Sequence, residues 1–533
     1  MPSKAKKKEP ILTAIEVDLE TGRLGLAGGA ERLLDGRPVL YHTVSRLLHV
    51  PGIHTVFLIT SEKQAPRIRP LVEGLPVRFF ICDEPDIPGR ERLRRARRWS
   101  LSSWRGGLAS AYFACEAGRP AALSALLRRY KRPFVLLAPA EAPLLCPDLV
   151  AQLLQAHRRD GSTKQLYVAS APPGLAADLY GAEILEVLRA GGRSVDGVLD
   201  FRPDTPEHYV DGLGLIHWYD SSLTSLRARL CADIDRSFAS IERIVAKLGP
   251  GWKEVKAREL AELLASDPSL TSGPYPQELV IELSGRRNHK GPIDGPPLPG
   301  ADLELAVFEK VLEQLCNHRD MRLSVGVHGE PFLHPDAIRI FETISRKRPW
   351  ALHVHTDGLA FDDRRLEALL QAEPDVVSIT LDAAEPQTYH ALHGIDGLET
   401  AERLCRTLAE KLIPQGRFVV PEFALCRQNH KEVEPFFDKW YPVTGWVVIR
   451  DHNDLAGQRP SHRHRDHVPP VRTACGHVLE ELVLSPNGTF LRCLQDPWER
   501  DPLGSATEKT IEEVWAERAH TGPLCRSCSA WSF

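Results

Sequence analysis

The chain has 533 residues, of which 43% are hydrophobic and 26% charged, and its formal net charge is -4. That length exceeds what one core serves and sets an expectation of about three domains. The near-neutral charge excludes an electrostatic case for nucleic acid or an anionic membrane surface as a partner.

Read from its start, the chain opens with "MPSKAKKKEP", which is basic and has no apolar stretch after it to serve as signal peptide or membrane span. Residues 1–10 are expected to be a disordered tail, and the protein cytoplasmic. Residues 11–255 alternate apolar β-rich runs ("ILTAIEVDL", "TVFLIT", "VRFFIC", "PFVLLAPA", "QLYVAS") with helical patterns such as "VLYHTVSRLL" and "PDLVAQLLQAHRR". Strands alternating with helices predict βαβ units and a mainly parallel sheet. One stretch stands apart: between residues 90 and 105 lie seven arginines and two tryptophans. It reads as a solvated helix face, or as an anion site built from Arg95, Arg98 and Arg105 with their forked donors.

Residues 256–275, a helix and then a Pro/Gly/Ser-rich run, are expected to link to a second α/β series over 276–455. Its strands are "ELVIELS", "RLSVGVHG", "ALHVHTDG", "VVSITLDA", "GRFVVPEFAL" and "GWVVIRDH". Six strands with intervening helices fit a partial or full parallel barrel. Residues 456–472 are polar and rich in His, Arg and Pro; their "SHRHRDH" tract reads as a solvated linker in preference to a metal site. The last domain, 473–533, carries the hairpin "LEELVLSPNGTFLRC" and the helix "TIEEVWAERAH".

Eleven cysteines are present, seven of them isolated (Cys82, Cys115, Cys146, Cys231, Cys316, Cys405 and Cys426) and read as small core hydrophobes. Cys475, Cys493, Cys525 and Cys528 cluster near the end, which in a cytoplasmic protein argues for metal over disulfides. Four cysteines with one CxxC pair suit structural zinc and an iron–sulfur cluster alike. A redox disulfide at Cys525–Cys528 leaves the other two unexplained.

In the central domain, "ELSGRRNHKGPID", "GVHGEPFLHPD", "HTDG" and "ITLDAAEPQTYHALHG" follow successive strands in an order and spacing that resemble the radical S-adenosylmethionine (SAM) core, a partial (β/α)6 barrel. In that family the first loop holds a 4Fe–4S cluster on three thiolates, and a G-G-E-P motif binds the SAM amino group. Laid on this pattern the chain keeps Glu282, Leu283 and Asn288, while the cluster positions become Arg287, Gly291 and Asp294. Guanidinium, glycine and one carboxylate cannot hold an iron–sulfur cluster. His328 replaces the first glycine of the second motif; Gly329, Glu330 and Pro331 remain. Glu330 is read either as an acceptor for an ammonium group, of SAM, an amino acid or a peptide, or as a loop-fixing carboxylate. By the same resemblance Thr380 and Asp382 are candidates for SAM contacts.

The tail's hairpin, Leu-Gly, "IEEVW" helix and CxxC resemble the SPASM domain appended to many radical SAM enzymes, and four thiolates fit one 4Fe–4S cluster. The N-terminal domain resembles the nucleotidyltransferase fold of sugar-acid cytidylyltransferases, an α/β/α sheet. The resemblance rests on "AERLLDGRPVLYHTVSRLLHVPGIHTVFLIT" and "FVLLAPAEAPLLCPDLVAQLLQAH", with echoes in "PPGLAADLYGAEIL" and "EHYV". Glu141 stands where the metal-binding Asp belongs and can still ligate Mg2+; Asp178 stands near a later acidic position. The three-part order resembles the spiro-SPASM proteins of spirochaetes. That resemblance implies a bacterial cytoplasmic protein and little about its reaction. The preferred reading is an accessory or binding protein with one cluster in the tail, presenting a peptide or small molecule to a partner enzyme. The alternatives are a nucleotidyl- or glycosyltransferase acting through the first domain, and a radical enzyme whose cluster has unusual ligands.

Overall fold

The computed structural model describes residues 11–21, 28–83, 119–160, 165–190, 214–224, 226, 228–300, 302–348, 350–465, 475–519 and 521–530. The basic N-terminus, Cys115 and the arginine-rich stretch with Arg95, Arg98 and Arg105 lie outside them. The chain divides into two units at residues 272 and 273.

In the first unit, strands β1 (Leu12–Glu16), β4 (Val56–Thr60), β5 (Val77–Ile81), β6 (Phe134–Ala138), β7 (Leu166–Ala169), β8 (Asp178–Gly181) and β9 (Gly214–His217) make one sheet in the order β5-β4-β1-β6-β8-β7-β9. β5, β4, β1 and β6 run parallel, and β4 and β6 are buried on both faces, as their apolar runs predict. β8 is antiparallel to β6 and β7, so the sheet is mixed. A two-residue ribbon, β2 (Leu33–Leu34) and β3 (Arg37–Pro38), turns on Asp35 and Gly36, both at positive φ, as an Asp-Gly pair allows. Helices Val39–Leu48 and Pro147–Arg159 pack apolar stripes on the sheet, and Pro147 opens the second where its missing N–H costs nothing.

The stretch 256–275 is not a linker. Helix Ala257–Ser266 and the turn Pro268–Leu270 bury Ala257, Leu260, Ala261, Leu264 and Leu270 in the first unit's core. Helical spacing of those apolar residues outweighs the boundary signal that Pro, Gly and Ser supply after them.

In the second unit, β10 (Glu278–Ile281), β11 (Arg322–Val325), β12 (Ala351–Thr356), β13 (Val376–Thr380), β14 (Phe418–Leu425) and β15 (Val448–Asp451) are all parallel, each paired with the next in chain order. This is the partial (β/α)6 arrangement, with loops gathered at the C-terminal strand ends. The tail is not separate from it. β16 (Glu481–Leu484) pairs parallel with β10, and β17 (Thr489–Leu491) and β18 (Pro502–Ser505) extend the sheet antiparallel. A lone hairpin is marginal in water, and the open edge of β10 supplies its missing partner.

Residues 456–465 also differ from a solvated linker. Arg459 donates to the carbonyls of Asn453, Ile293 and Asp294, and Arg463 to that of His452. Residues 466–474, with the rest of the "SHRHRDH" tract, lie outside the described residues.

Candidate functional site

The loop after β10 is held as a set of internal contacts. Arg287 gives its guanidinium to the backbone oxygen of Asp294. Gly291 sits so close to the next layer that a β-carbon there would stand 1.8 Å from the carbonyl oxygen of Leu392. Asp294 accepts from the Gly291 N–H at 2.8 Å through Oδ2 and meets His393 Nδ1 at 3.1 Å through Oδ1. All three positions expected to have lost their thiolates are thus occupied, sterically closed or ion-paired. Asn288 donates to both carboxylate oxygens of Asp357 at 3.0 Å.

Glu282, which ends the β10 segment, is buried and accepts from the N–H groups of His328 (2.8 Å) and Gly329 (3.0 Å). Burial pushes its carboxyl up to about 7 despite those bonds and Arg287. A β-carbon at Gly329 would meet the carbonyl of Ser284 at 1.7 Å, so only glycine fits. His328 shares a 2.8 Å hydrogen bond with the Leu494 carbonyl, and burial with Arg287 nearby lowers it to about 3. It pins the loop after β11 to the residue following Cys493.

Of the two readings of Glu330, the contacts favour loop-fixing. Oε1 accepts from the Phe332 N–H at 3.0 Å, and Oε2 from Thr356 Oγ1 at 2.9 Å and the Asp357 N–H at 2.8 Å. Burial and the neighbouring Asp357 hold its carboxyl well above the usual range. Thr380 is half-buried at the end of β13. Asp382 is buried at φ +57, accepts from the Ala424 N–H at 2.6 Å, and lies 3.4 Å from His393 Nε2. Burial raises its pKa, but the His393 contact leads a set of interactions that bring it below the ordinary value.

The sequence patterns did not point to the centre of this region, a His289–Asp294–His393 group whose two histidines are buried and whose aspartate is half-buried. The two rings stack with centroids 3.8 Å apart, and His289 Nε2 shares a 2.8 Å hydrogen bond with the Tyr389 hydroxyl. Burial lowers His393, but its bonds to Asp294 and Asp382 raise it to about 9; burial and His393 lower His289 to about 4. The sequence signal for it is the recurrence of histidine in "NHKGPID" and "TYHALHG", two stretches about 100 positions apart.

At the other end of the chain, Cys475, Cys493, Cys525 and Cys528 line one cavity with Arg492, Gln495, Asp496 and Asp501. Cys475 precedes helix Gly476–Glu480, Cys493 follows β17, and Cys525 lies in the turn Pro523–Arg526. Burial raises the Cys493 thiol, with Glu481, Cys475 and Cys528 adding to it. The N–H groups of Gly522 and Ala530 donate to the sulfurs of Cys525 and Cys528 at 3.3 Å. A β-carbon at Gly522 would fall 2.3 Å from Asp501 Oδ2, so glycine lets this turn reach the Arg492–Asp501 pair. Four cysteines lining one cavity, two of them with backbone N–H donors at sulfur, are the ligand type that a thiolate-held metal group requires.

In the first unit, Glu141 is buried after β6, with its carbonyl accepting from Ala232 and the flanking Ala140 and Ala142 bridged by Thr43. Asp178 is buried on β8, where it accepts from the Ala169 N–H at 2.9 Å. Asp178 is thus tied into the sheet through its carboxylate, and Glu141 through its backbone.

Residues 292–439 match the Radical SAM superfamily. An uncharacterized protein of Treponema pallidum (strain Nichols) is 24% identical over 39% of this chain, and the match spans 64% of that relative's length. Among solved structures, Streptococcus suis SuiB bound to precursor peptide SuiA is similar with a TM-score of 0.41 and 14% identity, covering 51% of this chain and 74% of SuiB. A cytidylyltransferase from Leptospira borgpetersenii serovar Hardjo-bovis (strain JB197) is similar with a TM-score of 0.34 and 12% identity, covering 49% of this chain and 96% of that one. No described helix is long and apolar enough to cross a membrane.

Proposed function

On the premise that residues 292–439 are a radical SAM domain, we propose that this chain is a binding or accessory protein that has given up SAM cleavage and keeps one 4Fe–4S cluster in a SPASM-like tail. The observation that carries the reading is the loop after β10. Arg287 and Asp294 are engaged with neighbours and Gly291 has no room for a side chain, so the loop does not fit a cluster. The family match begins at residue 292, past the first two of those positions. Cys475, Cys493, Cys525 and Cys528 would hold the remaining cluster, which supplies an electron-transfer or structural centre when bound. A bacterial cytoplasm, where thiols stay reduced, is part of the same reading.

In this reading the mouth of the barrel holds a peptide or small molecule for a partner enzyme, and Glu330 serves its loop instead of a ligand. The first unit is a scaffold with its acidic positions buried.

Anaerobic reconstitution with iron and sulfide tests the proposal. About four irons and matching acid-labile sulfide per chain are expected, with visible absorption that collapses in Cys525→Ala. Zinc without sulfide would replace the cluster by a structural tetrathiolate site. About eight irons, with SAM cleavage, would mean that the barrel loop binds a cluster through ligands other than thiolates.

A further inference from the structure

We propose that His289, Asp294 and His393 form a mononuclear site for a divalent first-row transition metal ion, bound by two imidazoles and one carboxylate. The site uses no cysteine and stands or falls independently of the tail cluster.

Three observations carry it. One donor atom from each residue lies within 4.8 Å of the other two. Asp294 Oδ1 is 3.1 Å from His393 Nδ1 and 3.7 Å from His289 Nδ1. A tetrahedral ion with bonds of about 2.0–2.1 Å has ligand–ligand edges of about 3.3–3.4 Å, a value these two distances bracket.

Second, each ligand's remaining polar atom faces an outer group, by hydrogen bond for His289 and Asp294 and by charge for His393. With Nδ1 on the ion, His289 donates its Nε2–H to the Tyr389 hydroxyl at 2.8 Å. His393 turns Nε2 toward Asp382 Oδ2 at 3.4 Å, a carboxylate–histidine–metal arrangement. Asp294 keeps Oδ2 on the Gly291 N–H, freeing Oδ1. Such partners fix ring orientation and tautomer.

Third, both histidines are buried, Asp294 is half-buried, and the group comes from two separate segments. His393 is fully buried and His289 8% exposed, so the stacked rings are not solvated surface residues. The loop after β10 brings His289 and Asp294, and helix Pro386–His393 brings His393 and Tyr389. Gly291 lets the two meet, since its contact with Leu392 draws the loop onto the helix end. Two imidazoles and one carboxylate suit zinc, cobalt(II) or iron(II) in preference to calcium or magnesium, which take oxygen ligands.

The test is cobalt(II) titration of the full-length, chelator-stripped protein, read by absorption and by cobalt-edge X-ray absorption. Thiolate-bound cobalt absorbs intensely in the near ultraviolet; the proposed site adds one equivalent with only weak visible bands and imidazole scattering. His289→Gln and Asp294→Asn are each expected to weaken that equivalent more than about 100-fold, and Asp382→Asn about 10- to 100-fold, leaving the thiolate bands unchanged. Circular dichroism verifies that each variant is folded, and the wild-type X-ray absorption stands without any variant. A wild-type chain that binds no cobalt beyond the thiolate-held fraction, or a non-thiolate equivalent indifferent to all three substitutions, overturns the site. His393 would then be only an ion-pair partner of Asp294 and Asp382.

Discussion

At the scale of single residues, the loop after β10 is filled by its own side-chain and backbone contacts. There is no room at Gly291 for a cysteine side chain. In Gly291→Cys the new side chain meets the Leu392 carbonyl, and a loss of about 2 kcal/mol or more is expected, read as a lower melting temperature with no gain of iron. Two other residues in this layer give opposing pH dependences. Glu282, with its folded value near 7 above the ordinary carboxylate range, holds a proton that the unfolded chain releases. Its contribution is full at low pH and lost as pH rises through about 7. His328 faces Arg287, Arg459 and Arg450, and its folded value near 3 lies below the ordinary imidazole range. It contributes stability above about pH 6.5 that is lost as pH falls toward 3. Between about pH 4.5 and 6.5 the two effects oppose each other in the wild type. Melting curves of Glu282→Gln are expected to fall more steeply toward acid, and those of His328→Gln to rise, each by on the order of 1–2 kcal/mol. Parallel profiles for both variants and the wild type would refute the assignment.

At the scale of elements, most of the architecture was legible. Helices Val39–Leu48 and Pro147–Arg159 coincide with the apolar patterns that predict them, and all six barrel strands lie within their β-rich runs. Pattern reading reports what a segment is and not what it pairs with. It therefore missed that Glu481–Leu484 completes the edge of Glu278–Ile281, and that helix Ala257–Ser266 belongs to the first core. The site was less legible. Missing thiolates are visible letter by letter, whereas the His289–His393 stack joins residues about 100 positions apart. Register carries a prediction of its own. A chain ending at residue 472 leaves β10 with an unpaired edge, so it is expected to aggregate and to lose the second unit's melting transition. Size-exclusion chromatography and calorimetry would detect this, and a monomeric truncation with unchanged melting would make the tail separable.

At the scale of the whole molecule, residues 292–439 match the Radical SAM superfamily from within the loop after β10, while the four clustered cysteines lie in the last 60 or so residues. Both ends of that arrangement meet on one sheet, because β16 lies beside β10 and His328 bonds to the carbonyl next to Cys493. The pairing of β16 with β10 also sets a clock for biosynthesis. Ile281 leaves the ribosome about 200 residues ahead of its partner Leu484, a wait of roughly 10–40 s at about 5–20 residues per second. Throughout that interval one flank of the first barrel strand has no hydrogen-bonding partner from its own sheet, so the nascent chain is open to misassociation there until β16 emerges.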